Sequence, residues 1–300
     1  MPSRRLPTLV VSLCLLALSA ILTSNAMAAS IMQMHPFGDA TVYCLSDAQS
    51  DRDMSVFPDA DPEALKKYVP TGRTPSAILA FLVVRGKDVV LVDSGFGRPG
   101  STLLAALKET GIAPKAVTLV LLTHMHRDHI GGLTNGGERV FPNANILVSA
   151  PELKFWTDPA TLESRPALRE NVDMVGAMLA AYGDKVNTFT FEDTLGPDIA
   201  ALDAVGHTPG HTAFLLVAGD RQMLFVGDLL HAAALQFPRP DINATYDMDR
   251  NKAAEARMKY LGMAADKGIP IAGDHFPFPG VGMVRRVGEG FAFVPGLPAN

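Results

Sequence analysis

The stretch LVLLTHMHRDHIGGL, Leu119–Leu133, sets three histidines and an aspartate within six positions, directly behind an apolar run. Along an extended chain, residues i and i+2 point the same way. His124 and His126 can therefore grip one cation from the same side. Asp128 and His129 are neighbours and share a second site only if the chain turns at Arg127. Gly131 and Gly132 permit such a turn and a close backbone approach. Imidazole nitrogen combined with carboxylate suits Zn²⁺ or a similar first-row ion. A solvated loop that is merely rich in histidine has no need of four donors at the end of a buried strand.

The remaining histidines extend the pattern. The chain has eight, and His35 alone stands apart from the motifs. The others lie in HMHRDH, in GHTPGHT (His207, His211), in VGDLLH (His231) and in GDHFPF (His275). Each motif follows or adjoins a β-rich run. AILAFLVVR and DVVLVDS, between Ala77 and Ser94, flank the turn Gly86-Lys87 and read as a hairpin. Val117–Thr123 reads as the strand that delivers the histidine cluster, and NILVSA as another. Helical spacing covers Thr102–Thr110, PELKFW and Pro166–Tyr182, the last with Leu168, Val172, Val175 and Leu179 on one face. Strands are expected near 186–191, 199–205, 213–217 and 222–226, and a helix at Lys252–Ala265. Strands and helices alternating in two halves, with ligands at strand ends, suggest a layered α/β architecture. The stretch 47–75, rich in Asp and Pro, reads as a mobile surface segment and possible lid.

HMHRDH, GHTPGHT, LFVGDLL and the late GDH, with LVDSG before them, occur in an order and spacing that resemble the metallo-β-lactamase superfamily. The likeness runs from about Ala77 onward. It implies a four-layer αβ/βα sandwich, and two divalent metal ions per chain, with Zn²⁺ expected. Carried over residue by residue, His124, His126 and His207 would hold the first ion. Asp128, His129 and His275 would hold the second, and Asp228 would bridge them. A carboxylate bridge also answers the repulsion between two close cations. His211 and Asp93 are candidates to orient these ligands, the alternative being ordinary structural hydrogen bonds. Antibiotic-hydrolysing members often carry Cys or Ser where this chain has Asp228, which ranks β-lactamase activity low.

Within the superfamily, ERVFPNANILVSAPELKFW, GDLLHAAALQF, HFPFPGVG and FAFVP are similar to the methyl parathion hydrolases and their lactonase-like relatives. That likeness implies a hydrolase of carbon or phosphorus esters, with a possible homodimer. A glyoxalase II reading fits poorly, since only 25 residues follow His275. The expected reaction is attack by a hydroxide shared between the cations, with Asp128 or Asp228 accepting the proton as the adduct collapses. Quorum-quenching lactonases place a Tyr three residues beyond the bridging Asp, and methyl parathion hydrolases an aliphatic residue. His231 holds that position here. A histidine can assist a basic alkoxide leaving group, which tilts the reading to lactones or carboxylic esters with phosphotriesters as a side activity. The alternatives are a phosphotriesterase proper, with His231 as plain pocket wall, and a non-catalytic metal-binding protein. Loss of a ligand would favour the last, and all seven are present. Phe96, Trp156, Phe276 and Phe278 lie near motifs and are candidates for an apolar pocket wall, each equally at home in a core.

Composition limits the remaining classes. The chain is 48% hydrophobic over 300 residues, which suits one hydrolase domain spanning 29–300. Arg4 and Arg5, the uncharged apolar run Leu9–Leu22 and the small-x-small Ala26-Met27-Ala28 mark 1–28 as a cleavable signal peptide. Periplasmic or secreted localisation follows, with no membrane association after cleavage. Cleavage would take the formal charge from −5 to −7, with no basic run, so a nucleic-acid partner is not expected. Cys44 would then be the sole cysteine, in the strand-like TVYCLS, and reads as a buried small hydrophobe.

Overall fold

The computed structural model describes residues 30–298, and the expected signal peptide, 1–28, lies outside them. Seven strands form the first sheet, in the order β1 (Met32–Phe37), β2 (Ala40–Asp53), β3 (Arg73–Arg85), β4 (Asp88–Val92), β5 (Leu119–Leu121), β8 (Asn145–Ser149) and β9 (Val186–Phe189). The short ribbon β6 (Thr134–Asn135) and β7 (Glu138–Arg139) stands apart from it. Strands β1 to β4 pair antiparallel, and β4, β5, β8 and β9 pair parallel. Arg85 pairs with Asp88, so Gly86 and Lys87 close the two-residue turn read from the sequence. The stretch 47–75, expected as a mobile surface segment, runs from the end of β2 into the start of β3, which pair as far as Asp53 and Arg73. Between them it carries α1 (Pro62–Tyr68), whose N-terminus is capped by the Asp61 carboxylate. Met54, Phe57, Ala64 and Val69 of this stretch are buried together with Ala232, Leu235, Ile242 and Ala244.

The second sheet is also seven-stranded and mixed. Its order is β10 (Thr194–Leu195), β11 (Ile199–Asp203), β12 (Thr212–Ala218), β13 (Arg221–Phe225), β14 (Ile271–Ala272), β15 (Val281–Val287) and β16 (Gly290–Pro295). Only β13 and β14 pair parallel.

The period of two along each strand explains how the layers stack. In β3, Leu79, Phe81 and Val83 share one buried cluster with Phe214, Leu216, Met223 and Phe225 of the second sheet. Phe81 and Phe225 pack with ring centroids 5.5 Å apart, and each such burial contributes roughly 1.5–3 kcal/mol. Ala80 and Leu82 face the other way, into a cluster with Leu103 and Leu107 of α2 (Leu103–Glu109). Beyond the short α3 (Arg127–Ile130), α4 (Ala150–Thr157) adds Trp156 to that cluster. After α5 (Pro159–Ser164), α6 (Arg169–Tyr182) adds Val175, Met178 and Tyr182. On the far side, α7 (Ala233–Gln236) and α8 (Arg250–Lys267) cover the second sheet through Ala233, Ala256, Tyr260 and Leu261. The result is the expected four-layer αβ/βα sandwich. Among the described residues no helix is long and apolar enough to cross a membrane.

Strand β5 is shorter than the expected Val117–Thr123. Its end is set by a side chain, because the Thr123 N–H donates to Asp93 Oδ1 at 2.9 Å instead of to a neighbouring strand. The Thr212 N–H then donates to the Thr123 carbonyl at 2.9 Å, tying the start of β12 to the end of β5.

Candidate metal centre

Beyond Thr123 the chain stays extended through His126, whose φ and ψ are −69° and 157°, and then turns into α3. The turn at Arg127 is held from outside: the Arg127 N–H donates to Asn171 Oδ1 at 3.0 Å, and Asn171 Nδ2 donates to the Met125 carbonyl at 2.7 Å. His124 Nε2 and His126 Nδ1 consequently lie 2.9 Å apart. His207, from the loop between β11 and β12, brings its Nε2 to 2.9 Å from the same His126 nitrogen. Asp128 and His129, on α3, face His275 from the loop after β14, with Asp128 Oδ2 3.3 Å from His275 Nε2.

Asp228, after β13, stands between the two groups. Its Oδ2 lies 3.3 Å from His207 Nε2 and 3.6 Å from His124 Nε2. Its Oδ1 lies 3.0 Å from His129 Nε2 and 3.3 Å from His275 Nε2. The donor atoms of His124, His126, His207 and Asp228 all fall within 4.8 Å of one another, as do those of Asp128, His129 and His275.

Outward hydrogen bonds aim these nitrogens. His129 Nδ1 pairs with Asp93 Oδ2 at 2.8 Å, His207 Nδ1 with Asp247 Oδ1 at 3.0 Å, and His275 Nδ1 with the Ala77 carbonyl at 2.9 Å. Each pairing leaves Nε2 to face the other donors. His129 Nε2 and Asp228 Oδ1 are buried, and neither has a hydrogen-bond partner although they are 3.0 Å apart. They converge on common ground instead of on each other. Lone pairs crowded in this way fit a cation, so the donor set resembles a binuclear metal site.

The charges agree with the geometry. Burial pushes Asp228 up, but the surrounding imidazoles, His129 and His275 first, outweigh it and hold the carboxyl well below its ordinary value. Burial and the neighbouring His129 push His124 down, leaving a neutral imidazole. His207 is raised to about 9, because Asp228 and Asp247 outweigh its burial.

His211 and His231 flank the bridge. His211 Nε2 accepts the Asp228 N–H at 3.1 Å, while its Nδ1 pairs with the Ala204 carbonyl at 3.0 Å. This contact needs Gly227, whose φ is +51° and where a Cβ would lie 2.7 Å from His211 Nε2. His231 places Nε2 3.1 Å from Asp228 Oδ2 and is pushed down to about 4 by its burial.

A cavity of about 530 Å³ opens onto the cluster, lined among others by Phe96, Leu168, Tyr246 and Met248, with Arg52 and Arg127 on its wall. His231 also lines it, between His275 (centroids 5.2 Å) and Tyr246 (5.4 Å). Of the aromatic wall residues expected from sequence, Phe96 is in place. Trp156, Phe276 and Phe278 are not. Trp156 is buried in the helical layer with its ring against His126, 5.6 Å between centroids. Phe276 packs with Phe237 and Phe293 under the second sheet, and Phe278 lies against the core between the sheets. Motif proximity could not tell these apart, since neighbouring residues of a helix or a turn face different ways.

Sequence reasoning missed Asp247, Asn171, Tyr246 and Arg52. Asp247 takes His207 on one oxygen and the Arg257 guanidinium on the other, at 3.2 Å, both groups fully buried. YDMDR carries no spacing signal for this role, which arises where its loop folds back on GHTPGHT.

Comparison with known proteins gives the class. The profile of the metallo-beta-lactamase superfamily matches residues 73–275. The chain belongs to that superfamily. Over 177 residues it is 28% identical to a "probable metallo-hydrolase" of Mycobacterium bovis, covering 50% of this chain and 56% of that protein. A hydroxyacylglutathione hydrolase of Aliivibrio salmonicida is 35% identical over 144 residues, 48% of this chain and 43% of that protein. The chain thus spans about half the length of such relatives. Among solved structures, the hydrolase AbOPH matches with a TM-score of 0.84 and 32% identity, over 91% of this chain and all of that one. AidC, a dizinc quorum-quenching lactonase in complex with the product N-hexanoyl-L-homoserine, matches with a TM-score of 0.82 and 27% identity, over 90% and 98%.

Proposed function

We propose that the protein is an exported dizinc hydrolase that opens lactones or carboxylic esters, with aryl phosphotriesters as a side activity. The observation that carries the proposal is Asp228, whose two oxygens face different histidine groups. His124, His126 and His207 would hold one ion and Asp128, His129 and His275 the other, with Asp228 shared. Two such ions would supply Lewis acidity and make hydroxide available near neutral pH.

The chain's own residues do the rest. Phe96, Leu168, Tyr246 and Met248 offer an apolar wall to an acyl or aryl group. Asp128, at the cavity wall, is placed to accept the proton as the adduct collapses. His231 Nε2–H stands beside Asp228 and can hydrogen-bond a departing alkoxide. A nitrophenolate leaves without that help, and the apolar wall would serve an aryl phosphotriester equally well. This wall is what supports the second reading, a phosphotriesterase proper, beside the first.

His231→Leu separates the two readings. Lactone turnover should fall by roughly the 10²–10³-fold typical of a lost hydrogen-bond donor to a developing oxyanion, with nitrophenyl phosphotriester turnover spared. Equal loss on both substrates at full metal content would leave His231 a wall residue and remove the preference for lactones. Export is checked by N-terminal sequencing of the chain from its native host. A start near Ala29 is expected, and an intact Met1 on a cytosolic protein would overturn it.

A further inference from the structure

Helix α4 carries a fully buried carboxylate, Glu152, that the reaction does not use and that forms no ion pair among the described residues. Ser149-Ala150-Pro151-Glu152 has the form of a capping box, in which the glutamate would reach back to the Ser149 N–H. It does not. Glu152 Oε1 accepts the Met125 N–H at 2.9 Å and the Trp156 Nε1–H at 2.7 Å. Glu152 Oε2 accepts the Thr208 hydroxyl at 2.7 Å and the Gly210 N–H at 2.9 Å. Met125 lies between His124 and His126, and Thr208 follows His207. One carboxylate therefore joins the two loops that supply the first histidine group.

Neighbouring contacts share this purpose. The Ser149 hydroxyl donates to the Gly210 carbonyl at 2.7 Å. Gly210 lies so close that a Cβ there would sit 2.3 Å from the Glu152 nitrogen and 2.4 Å from Ser149 Oγ. The Trp156 ring, one helical turn on, backs His126. Four donors on two oxygens match the acceptor-only ionised form. Burying that charge is costly unless it is fully hydrogen-bonded, as it is here.

We propose that Glu152 is a positioning residue that fixes the His124–His126 turn and the His207 loop in one relative placement, so that the first metal site is formed before the ion arrives. The proposal rests on the reading of His124, His126 and His207 as ligands, and its test reads metal affinity, not turnover.

Glutamine makes a specific probe. Its single oxygen must serve the Met125 N–H and the Trp156 Nε1–H, because neither can accept a bond. Its amide then faces the Thr208 hydroxyl, which can turn and accept, and the Gly210 N–H, which cannot. Glu152→Gln should loosen the His207 loop, which loses the Gly210 bond, and keep the other, whereas Glu152→Ala loses all four bonds.

The experiment is chelator competition for Zn²⁺ on the apo-protein, with the visible spectrum of the Co²⁺-loaded protein as a second readout. Glu152→Gln should weaken the first site by about 10–100-fold, the usual loss when a ligand's outer partner is removed. The second site, Asp128, His129 and His275, should keep its affinity, and Glu152→Ala should weaken the first site further. Val175→Ala, a cavity in the same helical layer, controls for lost stability and should bind both ions as wild type does. Wild-type affinity at the first site in Glu152→Gln would overturn the proposal. So would equal weakening of both sites, or the same loss in Val175→Ala. A wild-type chain that binds no ion at all would instead overturn the metal reading itself, before any variant is made.

Discussion

After β5, one turn carries His124, His126, Asp128 and His129, whereas the second sheet supplies His207, Asp228 and His275 from three loops far apart in sequence. Local backbone geometry sets the first group, since an extended step and one turn of helix already place four donors. The second group depends on sheet pairing, which sets β13 beside β14 and holds β11 one strand away across β12, and each loop then needs support of its own. His207 has Asp247, Asp228 has His211 at its backbone, and His275 has the Ala77 carbonyl. A centre built half from one turn and half from three loops is only as accurate as those outer contacts.

Asp228 comes from the second half but faces both donor clusters, and its removal tests the comparison most severely. Asp228→Ala should lower both metal occupancy and hydrolysis to background, because each cluster loses a donor. Elemental analysis of the purified variant alongside ester assays checks this. Two retained ions with activity near wild type would show that the clusters stand without a shared carboxylate. Dialysis of the wild-type protein against chelator should abolish activity, and Zn²⁺ should restore it at two ions per chain.

Asp247→Ala comes next. His207 loses its aim, and Arg257 is left as a buried charge without its carboxylate. Breaking such a buried pair costs about 3–5 kcal/mol, and losing an outer partner costs about 10–100-fold in metal affinity. Denaturant melts and chelator competition measure the two separately. Asn171→Ala probes the opposite half, where the turn at Arg127 loses two hydrogen bonds worth about 1 kcal/mol each. The local turn should largely persist, so its metal loss should be smaller than that of Asp247→Ala. A larger loss would reverse the account of the two halves.

The same contrast explains what could be read from the sequence. HMHRDH declares itself because its donors are adjacent, and the β3–β4 hairpin because its turn is two residues long. The later motifs were legible through their order, which resemblance supplied and spacing alone did not. Glu152, Asn171 and Asp247 were not legible. Each is a polar residue on a helix or loop whose partner lies on another element, and nothing in its own neighbourhood marks it. Trp156 and Phe276 were misplaced for a related reason, since adjacency to a motif does not say which face of a helix or a turn a ring occupies. The β15–β16 hairpin also escaped notice, because Gly282 and the pair Arg285-Arg286 interrupt the apolar alternation of VGMVRRV.

The smallest effect is expected at Thr123, where the two metal-binding clusters share a single carboxylate. Asp93 Oδ2 takes His129 Nδ1 directly at 2.8 Å and the Thr123 hydroxyl at 2.6 Å. That hydroxyl also lies 3.0 Å from His124 Nδ1. Because it donates to Asp93, it must accept from His124, so Asp93 orients one imidazole by contact and the other through a relay. Thr123→Val keeps the shape and removes only the relay. His124 then keeps a buried N–H without a partner, a loss of roughly 1–3 kcal/mol, or shifts its proton to the inward nitrogen. Either outcome should weaken the first site several-fold and spare the second, whose His129–Asp93 pair is intact. Thr123→Ser restores the hydroxyl and should restore the affinity, which separates the relay from packing. Equal weakening of both sites in Thr123→Val, measured by chelator competition, would mean that Asp93 holds both imidazoles as one rigid unit.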